Sequence, residues 1–102
     1  MISSTPKAPY YAVIFTSLKS KKDNGYESMS KKMVELAHEQ PGFLGVESVR
    51  DENGFGITVS YWQTPEDISN WKKNSQHLEA QSMGAKQWYE SFKVRICKVE
   101  RD

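Results

Sequence analysis

From Tyr10 to Leu18 the chain reads YYAVIFTSL, a run of β-formers with apolar groups on both alternating sets, Tyr10/Ala12/Ile14/Thr16 and Tyr11/Val13/Phe15/Ser17. Such a run predicts a strand in a sheet covered on both faces. Lys19 to Gly25 is polar, and Asn24 followed by Glu27 has the form of a capping box opening a helix. Tyr26, Met29, Met33, Leu36 and Ala37 then recur at helical spacing, with Lys31, Lys32 and Glu35 off the stripe. The two methionines are read as core residues and His38 as a surface one. Pro41-Gly42 ends this helix.

Phe43 to Arg50 predicts a second strand with Leu44, Val46 and Ser48 on one face. Asp51-Glu52-Asn53-Gly54 is hairpin chemistry. A third strand, Phe55 to Trp62, alternates Ile57, Val59 and Tyr61 against Thr58, Ser60 and Trp62. Thr64-Pro65-Glu66-Asp67 opens a second helix: Thr caps, Pro suits the first helical position, and the acids suit the dipole. That helix carries Ile68 and Trp71 and is expected to break near Asn74-Ser75, with a further helical piece from Gln76 to about Trp88. Phe92 to Glu100 closes the chain as a strand, Phe92, Val94 and Ile96 alternating with Lys93, Arg95 and Cys97.

The order β-α-β-β-α-β is that of a ferredoxin-like α+β subunit with a four-stranded antiparallel sheet and two helices on one face. The domain is expected over 10–100, after a flexible segment over 1–9. Since the other sheet face is apolar too, it calls for a partner, and a two-fold homodimer stacking sheet on sheet satisfies it.

Composition narrows the function classes. A chain of 102 residues is one domain. Fourteen basic against 13 acidic side chains leave a net charge of +1, too weak a field to argue for nucleic acid. The basic cluster Lys19-Ser20-Lys21-Lys22 reads as a solvated loop. There is no apolar run of membrane-spanning length and no signal-peptide core at the N-terminus, so no membrane partner and a cytoplasmic location are expected. Cys97 is the single cysteine, read as a small apolar residue rather than a nucleophile. No phosphate loop or metal-ligand spacing is present.

Three features coincide: the element order, Gln40-Pro41-Gly42-Phe43 closing the first helix, and Tyr61-Trp62-Gln63-Thr64-Pro65-Glu66-Asp67-Ile68 leading into the Trp71 helix. Together, over Tyr10 to Glu100, they resemble the antibiotic biosynthesis monooxygenase domain, a family of dimeric α+β barrels. The tail from Asn74-Ser75-Gln76-His77 through Gly84, Trp88-Tyr89 and Val94 is similar to one branch of small bacterial proteins. The resemblance implies a dimer with a pocket in each subunit between sheet and helices. Some members oxidise quinol-like aromatics with O2 and without metal or flavin, others bind and degrade haem, and others have no known activity.

Within that frame His77 is the candidate base or hydrogen-bond partner, since an imidazole titrates near neutral pH. On one continuous helix His77, Gln81, Gly84 and Trp88 share a face, with Gly84 leaving room and Trp88 free to stack on a flat ligand. The plain alternative is an ordinary histidine on a polar helix face. Tyr11, Phe15, Trp62, Trp71 and Trp88 are candidate pocket aromatics, and equally candidates for simple core; Tyr61 or Tyr89 could donate to a substrate oxygen. In haem-degrading members a pocket Trp precedes the ligand His by about ten residues, roughly three helical turns. Here that position after Trp71 is Gln81, and the first strand has no Asn. The favoured reading is therefore a cofactor-independent monooxygenase of a small electron-rich aromatic. A non-catalytic small-ligand-binding or stress protein comes second, and haem binding or degradation is demoted.

Overall fold

Alternating β-formers punctuated by two amphipathic stretches produce six elements: β1 (Tyr10–Lys19), α1 (Tyr26–His38), β2 (Phe43–Arg50), β3 (Phe55–Trp62), α2 (Pro65–Gln81) and β4 (Tyr89–Val99). The computed structural model describes residues 2–21, 25–81 and 88–102. The four strands form one antiparallel sheet in the order β2-β3-β1-β4. This is the ferredoxin-like α+β subunit that the element order predicts.

Register assigns the paired strand residues to faces, because paired residues share one. Trp62 pairs with Tyr11 and Phe43, and its indole stacks on Trp71 of α2 at 5.8 Å. That face therefore lies under the helices. It carries Tyr11, Val13, Phe15 and Ser17 of β1, Gly56, Thr58, Ser60 and Trp62 of β3, and Phe92, Val94 and Ile96 of β4. The far face carries Tyr10, Ala12, Ile14, Val59, Tyr61, Glu47 and Val49.

The core lies mainly on the helix side, where Trp62 is fully buried and Met29, Ala37 and Ile68 are nearly so; Trp88, in the turn before β4, is buried as well. On the far side Tyr10 is buried where Thr5 and Asp102 both bond its hydroxyl. The segment before β1 lies against this face: Ser3 donates its amide to Glu47 and its hydroxyl to the Val46 carbonyl.

Local chemistry explains the boundaries. The hairpin turn is closed by Asp51, whose Oδ1 accepts from the amides of Asn53 and Phe55, both at 2.9 Å. Thr64 caps α2 as expected, accepting the Asp67 amide at 3.1 Å. The α1 cap differs from expectation. It is Gly25, at φ 79° and with no side-chain cap bond, and Asn24 lies outside the described residues.

The expected break at Asn74-Ser75 does not occur; α2 is continuous to Gln81. Ser75 turns its hydroxyl onto the Lys72 carbonyl, and Asn74 donates its amide to Gln40 at the end of α1. Asn74 thus finds its partner outside the helix, and Ser75 shares a helix carbonyl without interrupting α2. Leu44 leaves the expected alternation because a register shift separates Phe43 from Gly45. β4 starts three residues earlier than expected, at Tyr89.

Candidate functional site

Beneath two packed helices the centre of a sheet is normally sealed. Here Val13, Phe15, Val46, Thr58 and Ser60 are only half-buried, and Ser48, bonded to Thr58 at 2.6 Å, is exposed. The helices therefore stand off the middle of the sheet and leave a cleft. Its floor is built from small or β-branched side chains on β1, β2 and β3.

Aromatic groups bound the cleft at both ends. At one end Phe43 meets Trp62 edge-on at 5.4 Å, and Trp62 stacks on the half-buried Trp71. The Trp62 indole N–H donates to Ser60 Oγ at 2.9 Å, so the buried ring leaves no orphan donor. His38 reaches the Phe43 ring from outside, at 4.7 Å, and is exposed as expected.

At the other end Phe15 meets Tyr89 at 5.3 Å and Phe92 at 5.7 Å, and Tyr26 of α1 meets Tyr89 at 5.8 Å. Arg50 lies among these rings, its guanidinium 5.6 Å from the Tyr26 centroid and 5.8 Å from that of Tyr89. It reaches across β3 over Gly56, where a Cβ would come within 2.7 Å of the guanidinium carbon. It then donates to buried Ser17 at Oγ, 2.8 Å away, and to the carbonyls of Ser17 and Gly54.

Of the residues expected in a pocket, Tyr11, Phe15, Trp62 and Trp71 fall on or against the cleft. Trp88 is buried in the turn before β4, not on α2, so the expected helical face through His77, Gln81, Gly84 and Trp88 does not extend that far. Gln81 is the last residue of α2, and Gly84 lies outside the described residues. His77 is exposed, on the side of α2 away from Ile68, Trp71 and Leu78. Tyr89 is at the cleft, but Tyr61 is on the far face, where its hydroxyl donates to Glu47 at 2.6 Å. That bond pushes the Tyr61 pKa up to about 12 and holds the Glu47 carboxyl below its ordinary range. Cys97 is exposed on the far face rather than packed as a small apolar residue, because β4 is an outer strand. Among the described residues no three His, Cys, Asp or Glu side chains converge, and no helix is long and apolar enough to cross a membrane.

Residues 9–83 match the model of the antibiotic biosynthesis monooxygenase family. The chain belongs to that family. It is 53% identical over 100 residues to the uncharacterized protein YqjZ of Bacillus subtilis, a match covering 98% of this chain and 88% of that protein. Among solved structures it is similar to SnoaB, a cofactor-independent oxygenase from Streptomyces nogalater. There the TM-score is 0.74 at 10% identity, over 93% of this chain and 97% of SnoaB. PA3566 of Pseudomonas aeruginosa gives a TM-score of 0.68 at 16% identity, over 99% of this chain and 98% of that one. Identities this low speak for the fold alone.

Proposed function

We propose that this member of the antibiotic biosynthesis monooxygenase family is a cofactor-independent oxygenase that takes a small, electron-rich, quinol-like aromatic into the helix-side cleft. The observation carrying this reading is the half-buried sheet centre held open between two aromatic ends, Phe43/Trp62/Trp71 and Phe15/Tyr89. A flat ring fits such a space by stacking and edge contacts, and apolar walls keep water from the reactive intermediate.

The chemistry asks little of the protein. Once deprotonated, an electron-rich ring passes an electron to O2. For the reaction to need no outside reductant, the substrate supplies all four electrons: a ring-activated CH2 becomes C=O, both its hydrogens leave with the second oxygen atom as water, and the O–O bond breaks. The test is oxygen uptake by the purified protein with a panel of quinol-like compounds, with one ketone or quinone carbonyl formed per O2. Uptake no faster than in protein-free buffer across the panel sinks the reading.

A second reading, a binding protein with the same cleft, is favoured by the exposed position of His77, on the side of α2 away from Ile68 and Trp71. Ligand binding without oxygen uptake would select it. In either case we propose that two copies pair through their far faces, where Val49 is 71% and Phe55 49% exposed.

A further inference from the structure

We propose that Arg50 and Lys19 form an anion-recognition site at the Phe15/Tyr89 end of the cleft, so that the ligand is an aromatic carboxylic acid. The inference rests on the cleft reading above and adds a substrate class to it.

Two half-buried cations approach the same ring at this end of the cleft. The main-chain amide of Lys19 and the guanidinium of Arg50 both donate to the carbonyl of Gly54. Lys19 Nζ lies 5.1 Å from the Tyr26 centroid, the ring that Arg50 approaches at 5.6 Å. Among the described residues every partner of these two cations is neutral. Arg50 bonds two carbonyls and the Ser17 hydroxyl, and Lys19 Nζ bonds the Ser20 carbonyl at 3.4 Å. The nearby Asp51 carboxylate is engaged by the amides of its own turn.

Two partly desolvated cations at one ring leave an excess of positive charge that a bound anion would offset. A guanidinium has five N–H donors, and these bonds use three of them, leaving two for a ligand. A carboxylate suits that fork, and the Phe15 and Tyr89 rings alongside suit an aromatic body attached to it. Gly56 keeps the arrangement possible, since any side chain there would displace the guanidinium.

The test is calorimetric titration of the whole protein with 2-naphthoate and with its neutral isostere 2-naphthamide, with acetate as competitor. The acid is expected to bind about tenfold or more tightly than the amide, the size of one or two charge-assisted hydrogen bonds. Acetate at the same concentration should not displace it. Arg50→Gln should abolish the preference, the acid losing about tenfold more affinity than the amide. Because Arg50 also ties β2 to β1 and to the hairpin turn, Lys19→Met is the second variant, expected to lower the preference severalfold without loss of fold.

Equal affinities for acid and amide, no binding of either, or an undiminished preference in Lys19→Met overturns the proposal. Displacement by acetate overturns its aromatic part. The two readings fail separately: absent oxygen uptake with a retained acid preference removes only the oxygenase, and uptake without the preference removes only this site.

Discussion

Tyr61 donates its hydroxyl to Glu47 at 2.6 Å, tying β3 to β2 on the sheet face away from the helices. The same carboxylate accepts the amide of Ser3, and the Tyr61 ring meets Tyr10 edge-on at 5.9 Å. The bond keeps the proton on Tyr61 and lifts its pKa from 10.0 to about 12. A raised folded-state pKa means that the associated stability is complete below 10 and is lost as pH rises through about 12. In a spectrophotometric tyrosine titration, Glu47→Gln should bring one ionisation back towards 10, since the hydrogen bond to the ionised carboxylate is the leading cause of the shift. An unchanged alkaline limb would show that the pair does not hold in solution.

Trp62 is the fully buried side chain on which both the Phe43 and Trp71 contacts depend. Trp62→Ala is expected to cost about 3–5 kcal/mol in denaturant unfolding, with Trp71→Ala costing clearly less because Trp71 is half-exposed. Equal losses would mean that the half-exposed Trp71 matters as much to the fold as the buried Trp62.

The turn between α1 and β2 depends on Gly42, at φ 81°, whose carbonyl accepts the Gln63 amide at 2.8 Å. A Cβ there would run into the Asp67 carboxyl, itself bonded to Thr64. Gly42→Ala should therefore cost more than the about 1–2 kcal/mol of left-handed backbone alone. Gly25→Ala is the control: its φ is 79° but its Cβ meets nothing within 4 Å. Matching unfolding midpoints for the two variants would remove the steric argument.

His77 is exposed on α2. His77→Ala is expected to leave both folding and any oxygen uptake near the native level. A loss of turnover of a hundredfold or more, the scale of general base catalysis, would instead return His77 to the reaction.

Pairing through the far faces predicts a light-scattering mass of twice the 11.7 kDa chain at micromolar concentration. Val49→Asp should shift it to the single-chain mass, because it puts a charge where the proposed interface is apolar. A native protein at 11.7 kDa ends the pairing proposal.

The elements and their order were legible because the alternation in YYAVIFTSL and the Asp51–Gly54 turn are local signals. Asn74-Ser75 misled for a tertiary reason: the partner that satisfies Asn74 is Gln40, far away in the chain. Helical spacing alone related His77 to Trp88, and it could not say which side of α2 would meet the sheet. Arg50 escaped notice as an ordinary strand-end cation. Part of a signal for it was present, since a glycine inside a strand marks a close approach. The Asp51–Gly54 turn alone, however, would set residue 50 opposite residue 55; Arg50 pairs with Gly56 because Asp51 closes the turn onto Phe55. Its other partner, Ser17, lies on a strand that no local pattern connects to it.

β4 lies at the edge of the sheet and is eleven residues long, with Phe92, Val94 and Ile96 all exposed. A bare apolar edge of that length is the kind of surface from which fibrillar stacking starts. Yet Lys93, Arg95 and Lys98 are spaced along the same strand. Pairing two such edges would crowd like charges along the seam, so added salt, by screening them, should be the condition under which this protein first loses its colloidal solubility.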